Sequence, residues 1–294
     1  MSGSRAIDHL VVAVSDLATA RARLSSLGFT VAPDARHPFG TENACVFLRD
    51  GTYLEPLAIG SDADSLASAR AGNVFTARDR AFRFRHGQDG LEAVVFQTSE
   101  AQADDEGYQQ AGFSAGRMLD FSRPFRSADG SESVASFRLA FAADLRSPDF
   151  FAFTCQRINT LAVDRSALTA HENGVTGLAG VTLCEPHPQD FSDFLGVVSR
   201  GGRPAQIGDS LEMRAGDASL SVVTHADFEA RFGRRYCGHA RGLRGRGVSF
   251  HVGSLEATAT LLRRNGVVHE MIGTRLVVPE ASGQGVLYSF EENA

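Results

Sequence analysis

Two side chains are out of keeping with the apolar segments that hold them. His9 interrupts the run IDHLVVAV, and Glu55 sits in TYLEPLAI among Tyr53, Leu54, Pro56, Leu57 and Ile59. Side chains alternate along a strand, so His9 shares a face with Ile7, Val11 and Ala13. A carboxylate buried without a partner costs roughly several kcal/mol, so Glu55 calls for a cation or an arginine. Imidazole with carboxylate suits Zn, Fe, Mn, Ni or Co without selecting among them. A hydrogen-bonded His–Glu pair without metal satisfies the same residues.

Other segments offer polar groups that a small ligand would use. RHPFGTEN places His37, Thr41 and Asn43 just before a strand. Arg123, in FSRPFRSADG, can pair with an anionic substrate group or with Glu55. Turn chemistry explains both segments equally well, since His-Pro and Arg-Pro open turns and Gly40 and Gly130 close them. Cys155 and Gln156 follow the apolar run DFFAFT, but no base is visible that would lower the thiol pKa. His251, in RGVSFHV, fits a core histidine or a site residue of its own strand. HENG at 171–174 contains a strong Asn-Gly turn signal, and structure alone accounts for it.

The elements that would hold these groups recur. IDHLVVAV reads as a strand. SDLATARARLSSLGF reads as a helix capped at Ser15 or Asp16 and stopped at Gly28, followed by short strands in FTVAP, ENACVFLR and TYLEPLAI. The order returns with LEAVVFQT and a helix ending at Gly112. It returns again with LAGVTLCEP and a helix in QDFSDFLGV ending at Gly196. A last copy runs from RGVSFHV through a helix ending at Gly266 to TRLVVPE and GVLYSFEE. The pattern gives an α+β fold of four βαβββ units, forming two paired, curved mixed-sheet modules with helices outside. Residues 1–165 form the first pair and 166–294 the second, because strand signals lapse in RINTLAVDRSALTAHENG. Each pair makes a trough lined by alternate residues of several strands, the natural seat for a small molecule.

IDHLVVAVSDL, RHPFGTENACVFL and GTYLEPLAI, then SRPFRSADG, FRLAF, DFFAFTCQR and HENG, together resemble the glyoxalase-like group of the vicinal oxygen chelate superfamily (glyoxalase, bleomycin resistance and extradiol dioxygenase proteins). The last two units match by pattern only. The resemblance implies a divalent metal between paired units, held by a His or Gln on the first strand and a Glu on the last. Here those positions are His9 and Glu55, and Glu55 would double as catalytic base. It also implies chemistry on vicinal oxygens, from isomerisation to dioxygenation, although some members only sequester a ligand. The matching positions elsewhere depart from the pattern: Ala93 (with Glu92 beside it on the other face), Phe153 or Thr154, Gly180 and Ser221, Gly247 and Ser289. A second His–Glu pair is therefore missing, and other metal positions would fall to water or substrate.

The rest of the sequence narrows the setting. With 294 residues, 43% apolar and 22% charged, the chain can bury a large core. A net charge of −6 and the glycine-interleaved arginines from Arg234 to Arg246 give no nucleic-acid stripe. Cys45, Cys155, Cys184 and Cys237 form no CxxC, so reduced thiols in a cytoplasmic setting are expected, with no membrane span. Two functions stay open. One is a metal-dependent lyase or isomerase, with dioxygenase-like chemistry weaker, acting on an oxygenated metabolite. The other is a metal-free protein that binds or sequesters a small molecule. A homodimer is also open, since a unit can pair with one from another chain.

Overall fold

A computed structural model describes residues 4–126, 132–159, 164–236 and 241–293. Strands β1 (Ile7–Ala13), β2 (Ala35–Arg36), β3 (Thr41–Asn43), β4 (Val46–Phe47), β5 (Tyr53–Ile59), β6 (Gly90–Gln97), β7 (Leu119–Arg126), β8 (Glu132–Ala142) and β9 (Phe151–Arg157) form the first sheet. Its order is β2-β3-β5-β1-β6-β9-β8-β7, with β4 also on β5. The second sheet contains β10 (Val175–Cys184), β11 (Ala205–Ile207), β12 (Ser210–Ala215), β13 (Ala218–Val223), β14 (Arg244–Val252), β15 (Glu270–Ile272), β16 (Arg275–Val278) and β17 (Leu287–Glu292). Its order, β11-β12-β13-β10-β14-β17-β16-β15, repeats the same plan. In each sheet the two central strands are antiparallel (β1 with β6, β10 with β14), and each has a parallel strand on its other side.

The α+β reading holds, with two mixed sheets and helices outside them. Helices α1 (Leu17–Ser26), α4 (Ala101–Gln110), α5 (Ser192–Ser199) and α7 (Leu255–Arg264) follow β1, β6, β10 and β14 in turn. Asp16 caps α1 by accepting from the Thr19 amide, and Gly28 ends the turn after it at φ 83°. Expected details differ in three places. Gly196 lies inside α5, packed against the Gly202 carbonyl, and the helix ends at Arg200, which takes φ 52°. FTVAP forms no strand, and ENACVFLR is broken into β3 and β4. Two helices, α2 (Asp62–Arg70) and α3 (Val74–His86), stand between β5 and β6, outside the repeat. Ser61 and Asn73 are their caps, each accepting from backbone amides of the first turn.

One apolar core joins the two sheets. Leu10, Val12, Val94 and Phe96 from the first sheet pack in the same cluster as Val181, Val248, Phe250 and Tyr288 from the second. Their approach is close: a side chain at Gly245 would meet Leu91, and one at Gly285 would meet Val12. The opposite faces are separate. Val11, Leu57, Ala93, Phe141 and Phe153 line the trough of the first sheet under Val74 and Phe75 of α3. Cys184, Val223, Val277 and Leu287 belong to a smaller cluster on the second, with Phe228 and Phe232 of α6 (His225–Phe232). Cys45, Cys155 and Cys184 are buried free thiols, while Cys237 and Gly130 lie outside the described residues. Among the described residues no helix is long and apolar enough to cross a membrane.

Candidate active site

His9 and Glu55 meet in the first trough. β1 and β5 run parallel, with Val11 opposite Glu55 and His9 opposite Tyr53, so the two side chains lie one step apart on neighbouring strands. His9 Nε2 is 3.2 Å from Glu55 Oε2, and its Nδ1 is 2.7 Å from Asp8 Oδ1. Asp8 in turn accepts two hydrogen bonds from Arg157 of β9, at 2.5 and 2.9 Å. His9 is 4% exposed and Glu55 6%, and Asp8 is buried with them, while Arg157 at the end of the row reaches the surface.

Asp8 is next to His9 in sequence, and ordinary alternation would turn it to the other face. A β-bulge prevents that. Ile7 pairs with Phe96 and His9 with Val95, leaving Asp8 as the extra residue. A second bulge lies on the facing strand, where Val11 pairs with Ala93 and Val12 with Leu91, leaving Glu92 over. Glu92 was expected on the opposite face from Ala93. The bulge overrides that alternation, and its carboxyl senses the charges of Asp79, Arg83 and Glu55. Both Glu92 oxygens are buried without hydrogen-bond partners.

The loop residues converge on the same carboxylate. Asn43 Nδ2 donates to Glu55 Oε1 at 2.6 Å and lies 3.4 Å from His37 Nε2. His37 Nε2 is 3.6 Å from Glu55 Oε1, and its Nδ1 is 2.8 Å from Thr41 Oγ1. With Nε2 facing an amide donor, the consistent tautomer of His37 carries its proton on Nδ1, toward Thr41. The walls are aromatic. Tyr53 stacks on His9 with centroids 4.4 Å apart, Phe153 stands edge-on to it, Phe39 stacks on His37, and Phe75 and Phe121 approach His37 edge-on. A surface cavity of about 420 Å³ is bounded by Phe39 and Phe121, the rings that cover His37.

Burial opposes charge throughout this cluster, and each group resolves the conflict differently. For His9 the penalty is outweighed by hydrogen bonds to Asp8 and Glu55 and by their charges, which hold the imidazolium above the ordinary histidine range. Burial would raise Glu55, but hydrogen bonding to His9, the charges of the two histidines and the Asn43 amide bring it down to about 2. Asp8 reaches about 2 against the same penalty, through His9 and Arg157. His37 lacks a direct counter-ion of that strength, and burial pushes it down to about 4. Glu92 is pushed well above the carboxylate range by burial and by the charge of Asp79. The directions favour the charged form of His9, the neutral ring of His37, the ionised forms of Glu55 and Asp8 and the protonated form of Glu92.

The remaining candidates divide. Cys155 lies on the trough side of β9, but burial pushes its thiol up and no base adjoins it. Gln156 points the other way and accepts from the Ala101 amide at the start of α4. Arg123 stands over Phe137 at 5.9 Å, and its charge reaches His37; among the described residues it forms no ion pair with Glu55. His251 is in the second sheet, opposite Glu291, and is not brought to the His9–Glu55 pair. His171 of HENG accepts from the Thr30 amide, with its other nitrogen on the Phe47 carbonyl, which is a structural tie. Asp8, Arg157 and Tyr53 were missing from the sequence reading. The only signal for Asp8 was its place beside His9.

The family model described as a glyoxalase-like domain matches residues 7–196, a span holding the whole first sheet and its trough. The chain belongs to the glyoxalase-like domain family. That places it in the vicinal oxygen chelate superfamily. Among curated proteins none matches the sequence. Solved structures share the fold at low identity. A hypothetical protein from Staphylococcus aureus matches with TM-score 0.65 and 11% identity, covering 98% of this chain and 99% of that one. A mutant 4-hydroxymandelate synthase from Streptomyces coelicolor matches with TM-score 0.61 and 13% identity, covering 99% and 93%. A Mn(II)-bound glyoxalase from Novosphingobium aromaticivorans matches with TM-score 0.52 and 11% identity, covering 98% and 83%.

The resemblance to the vicinal oxygen chelate proteins implies a divalent metal in this trough. Among the described residues no three His, Cys, Asp or Glu side chains are placed to hold a metal ion. His9 Nε2 and Glu55 Oε2 face each other as an ion pair, and the Asn43 amide occupies the second carboxylate oxygen. A metal held by protein alone needs three or more donors. The donor set does not fit such a site.

Proposed function

We propose that the first trough is the reaction centre of a lyase or isomerase that moves a proton on a small oxygenated carbonyl compound. The observation that carries this reading is the buried 3.2 Å contact of His9 Nε2 with Glu55 Oε2, backed by Asp8 on the far side of the imidazole. Without substrate the two charges neutralise each other. A carbonyl oxygen inserted between them accepts the Nε2 proton in a hydrogen bond, and Glu55 loses the partner that made it a weak base. Its carboxylate then takes the proton from the carbon next to the carbonyl, and the electron pair moves onto the oxygen. The resulting enediolate faces an imidazolium that Asp8 and Arg157 keep oriented and charged. Return of the carbon-bound proton to the former carbonyl carbon, as the hydroxyl proton passes from one oxygen to the other, completes an isomerisation, and expulsion of a leaving group with its electron pair completes an elimination.

The other residues serve that exchange. Asn43 fixes the carboxylate while the second oxygen works, and His37, neutral at pH 7, adds no competing charge. The aromatic walls exclude water, which strengthens the field of the imidazolium. The cavity beside Phe39 and Phe121 is the route of entry in this reading. No step passes through a metal.

A second reading, a protein that sequesters an apolar ligand, draws on the same aromatic walls. Deuterium wash-in separates the two. The protein is incubated in D2O with a panel of α-hydroxy carbonyl and α-dicarbonyl adducts, with and without chelator. Exchange at the carbon next to the carbonyl is expected to survive the chelator and to fall about 100-fold or more in Glu55→Gln and His9→Gln. Binding without exchange supports sequestration. Exchange that the chelator abolishes and a divalent metal restores overturns the metal-free chemistry.

A further inference from the structure

In the second trough the guanidinium of Arg246 forms no ion pair among the described residues. Arg246 is the extra residue of a β-bulge, because Thr182 pairs with Gly247 and Leu183 with Gly245. Its guanidinium lies over the Tyr236 ring, 3.9 Å from the centroid, and donates to the Tyr236 hydroxyl. Its Nε is closed to solvent and has no hydrogen-bond partner. Among the described residues no carboxylate forms an ion pair with it; Glu280 acts on it only at longer range. A largely buried cation left in that state carries a desolvation cost that an anion would offset.

The surroundings suit an anion. Arg231 of α6 donates to Ser221 Oγ at 3.3 Å and makes a long ion pair with Glu212 at 4.0 Å, a half-exposed carboxylate that also accepts from Ser221 Oγ at 3.5 Å. The charges of Arg246 and Arg231 both reach the Cys184 thiol, which places the two guanidinium groups around one stretch of the trough floor. That floor is hydroxylic: Thr182 pairs with Ser221, and Ser249 pairs with Ser289 with their Oγ atoms 2.7 Å apart. The Tyr236 hydroxyl accepts from Arg246, so its own proton is available to a ligand.

We propose that the trough of the second sheet binds a small oxyanion, a phosphate or carboxylate group, with Arg246 as its principal contact and Tyr236, Arg231 and the serine hydroxyls around it. A planar guanidinium fork beside hydroxyl donors matches two oxygens of such a group. The site is separate from the His9–Glu55 trough, and the proposal does not rest on the reaction assigned there.

The test is calorimetric titration of the full chain, at constant ionic strength set with chloride, by inorganic phosphate in one arm and acetate in the other. Wild type is compared with Arg246→Met and with Arg235→Met, an exposed arginine of the same region. Saturable binding of at least one oxyanion is expected in wild type and in Arg235→Met, weakened about tenfold or more in Arg246→Met. The arm that binds more tightly identifies phosphate or carboxylate as the source. Absence of binding in wild type, or equal binding in Arg246→Met, overturns the proposal. Should Arg246→Met fail to fold, Arg246→Lys carries the test, since it keeps the charge and loses the fork. Weaker binding there supports the site, and unchanged affinity overturns it.

Discussion

The two troughs are built on the same strand order and place ionisable groups of opposite type, an acid and a base, at the same structural feature. In each, a bulge on the second central strand turns one residue out of the regular alternation. In the first sheet that residue is Glu92, beside Ala93; in the second it is Arg246, beside Gly247. The first trough surrounds its charged groups with Tyr53, Phe39, Phe75, Phe121 and Phe153, so the hydrogen bonds and charges that set proton positions there act out of water. The second lines its floor with serine and threonine hydroxyls, of which Ser249 and Ser289 bond to each other and Ser221 accepts from Arg231. One fold therefore makes an aromatic-walled trough around a buried His–Glu pair and a hydroxyl-lined trough beside a cation, and side chains rather than topology decide which.

The largest effect that would break this comparison is on turnover. Glu55→Gln and His9→Gln should each lower proton exchange by about 100-fold to 10000-fold, whereas the double variant Ser249→Ala/Ser289→Ala should stay within about twofold. Equal losses from both sheets would mean that the second trough takes part in the chemistry. Stability should divide the same way. Glu55→Ala leaves the buried His9 and Asn43 without their partner and should cost about 3–5 kcal/mol in denaturant unfolding. Removing both hydroxyls of the Ser249–Ser289 pair should cost about 1 kcal/mol.

The pH dependence sharpens the contrast next. His37 has a folded pKa of about 4, below its ordinary value of 6.5, so the folded state favours the neutral ring. That contribution is complete above pH 6.5 and is lost as pH falls toward 4, by up to about 3 kcal/mol. His37→Phe should flatten the stability curve across that window, and an unchanged curve would count against the buried neutral assignment. Glu92 is raised instead, so its contribution is present at low pH and is lost as pH rises above the ordinary carboxylate value. Glu92→Gln should match wild type near pH 4 and exceed it in stability at pH 8, as denaturant unfolding at the two pH values would show.

Much of this was legible in the sequence, and what was not has a common cause. The strand and helix order followed from apolar periodicity and from caps such as Asp16, and His9 and Glu55 stood out because burying either alone is costly. His37 and Asn43 could be nominated but not joined to Glu55, because the short β3 strand that brings Asn43 opposite Leu57 has no pattern long enough to read. Asp8, Glu92 and Arg246 escaped because each sits at a bulge, where a period of two assigns the wrong face. Arg157 could not be matched to Asp8, since that pairing depends on the order of β1, β6 and β9 across the sheet. Helices α2 and α3 lay outside the repeat, so attention to four equal units passed over them.

The charge state of His9 is the most direct test. Protein labelled with 15N-histidine, freed of metal and held at pH 7, is compared with His9→Gln to assign the ring signals. Two protonated nitrogens at His9, beside a neutral His37, are the expected result. A neutral His9 with one bare nitrogen would contradict the Asp8–imidazolium–Glu55 arrangement, and with it the acid–base centre proposed for the first trough.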